Sequence, residues 1–126
     1  MSKAIAEIVK RILGIKSGII DENIEQALDE MLLVNLSTSF DEVVNTPPEE
    51  IKNFLIDKQA LHEYNVEEFV DMLTLYSEIE NDAVKRTALL KNALELLKWY
   101  DKKSKVYSFE RQAKISHLEE KVNISS

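Results

Sequence analysis

The sequence predicts an all-α, single-domain helical array of about five to seven helices. Three observations lead there. Apolar residues recur at three- and four-residue spacing in almost every long segment. Two glycines and two prolines in 126 residues are too few for the many turns of an all-β chain. Side chains able to cap a helix, Asp21, Thr46 and Asn65, stand just before periodic segments. The whole of 1–126 is expected to share one core, since 44% of its residues are apolar and 31% are charged.

Residues 3–13 are predicted to form the first helix, with Ile5, Ile8, Val9, Ile12 and Leu13 as its apolar stripe. Gly14 suits the left-handed position just past a helix end, with Ile15 folding back on Val9. Lys3, Lys10, Arg11 and Lys16 surround the stripe, so a helix lying on a membrane surface competes with a docked core helix. The docked helix is the expectation. Residues 17–20 connect. Asp21 is expected to cap a second helix running to Asn35, on which Ile24, Ala27, Leu28, Met31 and Leu32 form one face. Leu33, Val34 and Leu36 widen that face, which predicts cover on two sides.

Ser37, Thr38 and Ser39 break this helix, and Phe40, Val43 and Val44 suggest one more turn that plugs an edge of the core. Thr46-Pro47-Pro48-Glu49 has the form of a capping box with proline at the first helical position. It should open a helix carrying Ile51, Phe54 and Leu55. Residues 57–64 read equally as loop or helix, anchored by Leu61 and Tyr64.

The chain from 65 to 126 is expected to be a helical hairpin plus a covering helix, resting on an N-terminal helical segment that spans residues 1–64. Asn65 with Glu68 opens the first hairpin helix, which buries Phe69, Met72, Leu73, Tyr76 and Ile79. Asn81-Asp82 is the turn. The second helix shows Ala83, Thr87, Leu90, Leu94 and Leu97 on one side and Leu89, Ala93, Leu96 and Tyr100 on the other. So wide a stripe predicts a helix held between two neighbours. After the basic link 102–105, a last helix over about 105–122 presents Phe109, Ala113, Ile115, Leu118 and Val122.

Composition also bounds the chemistry. The absence of cysteine excludes disulfides, thiolate zinc sites and cysteine nucleophiles. No apolar run reaches the length of a membrane span, and Glu7 with its neighbouring charges interrupts any signal-peptide core. A cytoplasmic protein without membrane insertion is expected. No glycine-rich phosphate loop, HExxH pair or calcium loop is present. His117 and Glu120, one turn apart, could supply half a metal site, but no second pair of ligands is visible. His62 stands in a possible loop with no nucleophile beside it. The acidic doublets Asp21-Glu22, Asp29-Glu30, Glu49-Glu50 and Glu67-Glu68 fall mostly in first helical turns, where they offset the helix dipole. No catalytic residue, metal ligand or cofactor is expected.

Residues 1–84 hold 6 basic and 18 acidic side chains (−12), and residues 85–126 hold 10 basic and 5 acidic (+5), giving −7. Mutual neutralisation of the two halves is the first expectation. A basic surface for a phosphate-bearing partner, or head-to-tail self-association, is the second. Trp99 and Tyr100 lie among Lys98, Lys102, Lys103 and Lys105, a pattern that can stack bases. The acidic overall balance speaks against nucleic acid, and none is expected. Leu75 stands among Glu68, Asp71 and Glu78 on an otherwise charged face. A lone leucine there is either an ordinary exposed residue or an anchor for a partner. Leu75, Asp71, Glu78 and Trp99 are the candidate partner-binding residues.

The spacing of Phe69, Leu73 and Tyr76, followed by Ala93-Leu94, resembles a tetratricopeptide repeat. Tyr76 to Ala93 is one residue longer than the usual pattern, Thr74 follows the first-helix leucine, and no proline ends the second helix. One such hairpin cannot bury its own face, so residues 1–64 must complete the core. The chain, including IAEIVKRILGIK and NIEQALDEMLLVNL, also resembles an uncharacterised bacterial family of small all-helical proteins with a tetratricopeptide-like C-terminal hairpin. That resemblance implies no activity and transfers no site residue. A non-catalytic protein–protein interaction or adaptor module is the expected function, through a protein partner or self-association. The alternative is an accessory protein binding nucleic acid or a membrane surface through its basic segments. A small enzyme ranks third.

Overall fold

A computed structural model describes residues 1–59 and 61–125. Six α-helices carry the fold: α1 (Ser2–Lys16), α2 (Ile24–Leu36), α3 (Phe40–Asn45), α4 (Val66–Ile79), α5 (Ala83–Lys103) and α6 (Phe109–Ser125). Two 3-10 turns, Pro48–Glu50 and Glu63–Asn65, and a π-helical turn, Asn53–Lys58, fill the connection from α3 to α4. Among the described residues there is no strand. The predicted all-α array holds.

Helices α4 and α5 form the centre. Asp82 caps α5 by accepting from the N–H groups of Val84 and Lys85. The three residues between the helices turn the chain back on itself. Phe69, Met72 and Leu73 of α4 and Leu89, Ala93 and Leu96 of α5 are fully buried. α6 packs on α5, α1 on α4, and α3 on α5. Polar contacts fix the directions. Ser2 reaches Glu68 at one end of α4, and Lys16 reaches Glu78 at the other. Arg111 reaches Glu67 and Lys121 reaches Glu78. Helices α1, α4 and α6 therefore run parallel, with α4 in the middle.

The charge division of the chain is consumed here. Lys85–Glu25, Lys103–Glu63, Arg111–Glu67, Lys114–Asp71 and Lys121–Glu78 all pair a basic C-terminal side chain with an acidic N-terminal one. The stripe Ile5, Ile8 and Ile12 is buried in the core, so α1 cannot offer that face to a membrane.

Several local expectations are corrected. α1 runs through Gly14 to Lys16, and Gly18 (φ +105°) takes the left-handed position instead. The Ile19 N–H bonds back to the Gly14 carbonyl at 2.9 Å, and the Ile19 side chain closes to 3.4 Å of where a Cβ on Gly14 would stand. This is the hydrophobic closure of a helix end, moved four residues on and made by Ile19 rather than Ile15. Asp21 does not cap α2. Its carboxylate takes two hydrogen bonds from Arg11, both 2.7 Å, and α2 begins after Asn23. Leu33 and Val34 are exposed, so α2 is covered on one side only.

Thr46 caps nothing in front of it: its hydroxyl donates backwards to the Glu42 carbonyl at 2.6 Å. The segment after it opens as a 3-10 turn and relaxes into the π-helical turn; Ile51 just before that turn and Leu55 within it are buried. In 57–64, Leu61 is the buried anchor and Tyr64 is exposed. The Asn65 side chain bonds the Ser2 and Glu68 side chains rather than the helix backbone. On α5, Ala83 is exposed and Tyr100 only half-buried. On α6, Phe109 and Ala113 are exposed, and the inward face is Arg111, Ile115, Leu118 and half-buried Val122.

Candidate functional site

The three parallel helices leave a groove of about 460 Å³, with α4 as its floor and α1 and α6 as its walls. Its floor carries Glu68, Asp71, Thr74 and Leu75. The α1 wall is apolar, from Ile5, Ala6 and Val9. The α6 wall carries Lys114, His117 and Leu118. Helical spacing accounts for each set. Positions 68, 71 and 75 follow one line along α4, and positions 114, 117 and 118 face it from α6.

Both carboxylates of the floor are hydrogen-bonded within the groove. Asp71 accepts from Lys114 at 3.0 Å. The Glu68 carboxylate takes the Ser2 hydroxyl at 2.9 Å and the Asn65 amide at 3.3 Å. The Thr74 hydroxyl donates to the Val70 carbonyl at 2.8 Å, so its polarity is spent inside α4. At the far end Glu78 sits between Lys16 and Lys121. The hydrogen bond from Lys16 holds the Glu78 carboxyl below its ordinary 4.5, against the opposing effect of burial.

That shift fixes a sign. A carboxyl with a lowered folded-state pKa adds stability above its ordinary value, and the contribution is lost as pH falls through the folded value. Glu78→Gln is therefore expected to melt earlier than the wild type at neutral pH. The difference should close as pH drops below about 4.5, followed by circular dichroism across a pH series. A difference that persisted undiminished in acid would show that the loss is one of packing.

Three of the four sequence candidates come together here. Leu75 and Asp71 line the groove and Glu78 ties its end. Leu75 is half-buried and packs against the core, so it is less free than its charged neighbours suggest. Trp99 is elsewhere. It lies under the ammonium groups of Lys52 and Lys103, at 5.5 and 5.3 Å from its ring centre. Sequence reasoning does not single out the walls. Their signal is nevertheless present: Lys114, His117 and Lys121 follow a three- and four-residue period that mirrors Asp71 and Glu78.

His117 and Glu120 gain no further ligands. No three histidine, aspartate or glutamate side chains among the described residues could share a metal ion. No described helix is long and apolar enough to cross a membrane. No family model, curated protein or solved structure matches the chain.

Proposed function

We propose that this chain is a non-catalytic protein–protein interaction module that seats the apolar face of a partner's amphipathic helix in the α1–α4–α6 groove. The observation that supports it is a groove with one apolar wall and a floor whose carboxylates are already engaged. Asp71 already meets the opposite charge of Lys114, Glu68 is met by the neutral donors of Ser2 and Asn65, and Ala6, Val9 and Leu75 ask for burial. The volume suits the few side chains that one helix face inserts. The parallel helices flanking α4 also support the tetratricopeptide-like reading, in which the first helix of each hairpin lines the binding face.

A peptide-display selection for helical binders tests the proposal. Enriched peptides are expected to carry leucine-like residues at i, i+3 or i+4, and i+7. They should perturb the amide resonances of Ala6, Val9, Leu75 and His117. Ala6 is exposed on the wall, so Ala6→Glu should leave folding intact and weaken binding about tenfold or more, since about 1.4 kcal/mol already gives that factor. Leu75→Glu should weaken it as well, but with some loss of stability, because Leu75 also packs on the core. Peptides that bind elsewhere, or that ignore Ala6→Glu, would overturn the assignment.

A further inference from the structure

The end of the molecule where α5 hands over to α6 carries a second surface that the groove does not use. Val106 and Tyr107 on this short connection, and Phe109 at the first position of α6, are 73%, 66% and 81% exposed. The fold holds this connection firmly. The Ser104 hydroxyl accepts the Val106 N–H at 3.2 Å. The buried Arg111 guanidinium donates to the Val106 carbonyl at 2.6 Å and to Asp101 at 2.8 Å. The Ser108 hydroxyl accepts the Arg111 N–H at 3.1 Å. With its backbone so engaged, the loop presents apolar side chains outward, and Tyr107 packs edge-on against Phe109 with ring centres 5.0 Å apart.

Lysines frame this tip. Lys102 and Lys105 are exposed and have no ion-pair partner among the described residues, whereas Lys103 is held by Glu63 at 3.0 Å. Arg111 is buried on Asp101 and Glu67 and Lys103 is held by Glu63, so, among the described residues, the exposed, unpaired charges of 101–111 are Lys102 and Lys105 against Glu110. The chain as a whole carries −7, so against that average an anionic plane favours this end.

We infer that the Val106–Phe109 tip, framed by Lys102 and Lys105, docks on an anionic lipid surface. The three apolar side chains of the tip stand open to solvent, which suits a soft interface. Aromatic and aliphatic side chains partition at the headgroup level while lysines meet the phosphates and carboxylates around them. Single-stranded nucleic acid fits less well, because Val106 offers no ring and Tyr107 and Phe109 are packed on each other. The docking is peripheral and leaves the groove free.

The test is cosedimentation of the full chain with phosphatidylcholine vesicles carrying about a third phosphatidylserine, against vesicles of phosphatidylcholine alone. Wild type should sediment with the anionic vesicles only, and less as salt rises. The combined Val106→Ser, Tyr107→Ser, Phe109→Ser variant should lose about tenfold or more in partitioning at an unchanged melting temperature. Lys102→Gln with Lys105→Gln should flatten the salt dependence. Tyr107→Trp gives a reading independent of the triple variant's folding. Its added indole emission should shift to the blue on anionic vesicles, while that of Trp99 in the wild type stays put. Wild type that fails to sediment at low salt overturns the inference. So does sedimentation indifferent to the tip variant, or Tyr107→Trp emission that does not move. Capture of single-stranded RNA in preference to vesicles would reassign the tip to base stacking.

Discussion

Asn92→Asp is expected to destabilise this protein by about 3–5 kcal/mol, a large part of the total stability of a small domain. Asn92 is fully buried on α5. Its amide nitrogen donates to the carbonyls of Val43 at 2.8 Å and Thr46 at 3.2 Å. These belong to the last turn of α3 and the residue after it, where a helix leaves carbonyls without partners. Asn92 supplies the missing hydrogens from a different helix and so pins α3 to α5. An aspartate would place a buried carboxylate against the same two oxygens, with nothing to donate. The carboxyl should resist ionisation, so its pKa in the folded state lies above the ordinary aspartate value. The cost is then greatest near neutral pH and shrinks on acidification, as the protonated acid recovers one donor. Denaturant unfolding at several pH values measures both effects. Wild-type stability in Asn92→Asp would mean that the clasp on α3 is not formed.

Ala93→Phe should cost roughly 1–3 kcal/mol by overpacking rather than by unpaired polarity. Ala93 has no exposed surface and lies in the middle of α5, which α4, α3 and α6 all pack against. A ring there must displace well-packed neighbours. The loss should show in the melting temperature with little dependence on pH, in contrast to Asn92→Asp. An unchanged melting temperature would place Ala93 at the surface and refute the packing of α5.

These two adjacent residues mark where sequence reading works and where it stops. Ala93 is legible because a small residue within a wide apolar stripe signals close approach. Asn92 is not, because its role depends on a helix end 46 to 49 residues away in the chain. Arg111 is the same case. It occupies the position that leads the inward face of α6, a place that polarity alone assigns to Phe109. Its charge becomes tolerable in the core only through Asp101, Glu67 and the Tyr100 ring, 5.3 Å away. The helix end after α1 is misplaced in the sequence for a local reason. Glycine inside a helix costs only about 1 kcal/mol, and α1 continues through Gly14 to Lys16, so periodicity cannot choose between Gly14 and Gly18. In the groove, Leu75, Asp71 and Glu78 are legible as a line on one helix. The facing walls require knowing that α1 and α6 flank α4.

The links between α1 and α4 carry a kinetic consequence. Ser2 meets Glu68 across 66 residues of chain, and Lys16 meets Glu78 across 62. Helices α4, α5 and α6 are joined by short connections and can assemble from near neighbours. α1 meets α2 locally, with Arg11 paired to Asp21 just ahead of α2, but must close a loop of about half the protein to reach α4. Its seat on α4 is therefore expected to form late in folding. Since α1 is one wall of the groove, the groove is expected to be complete only once this long loop has closed.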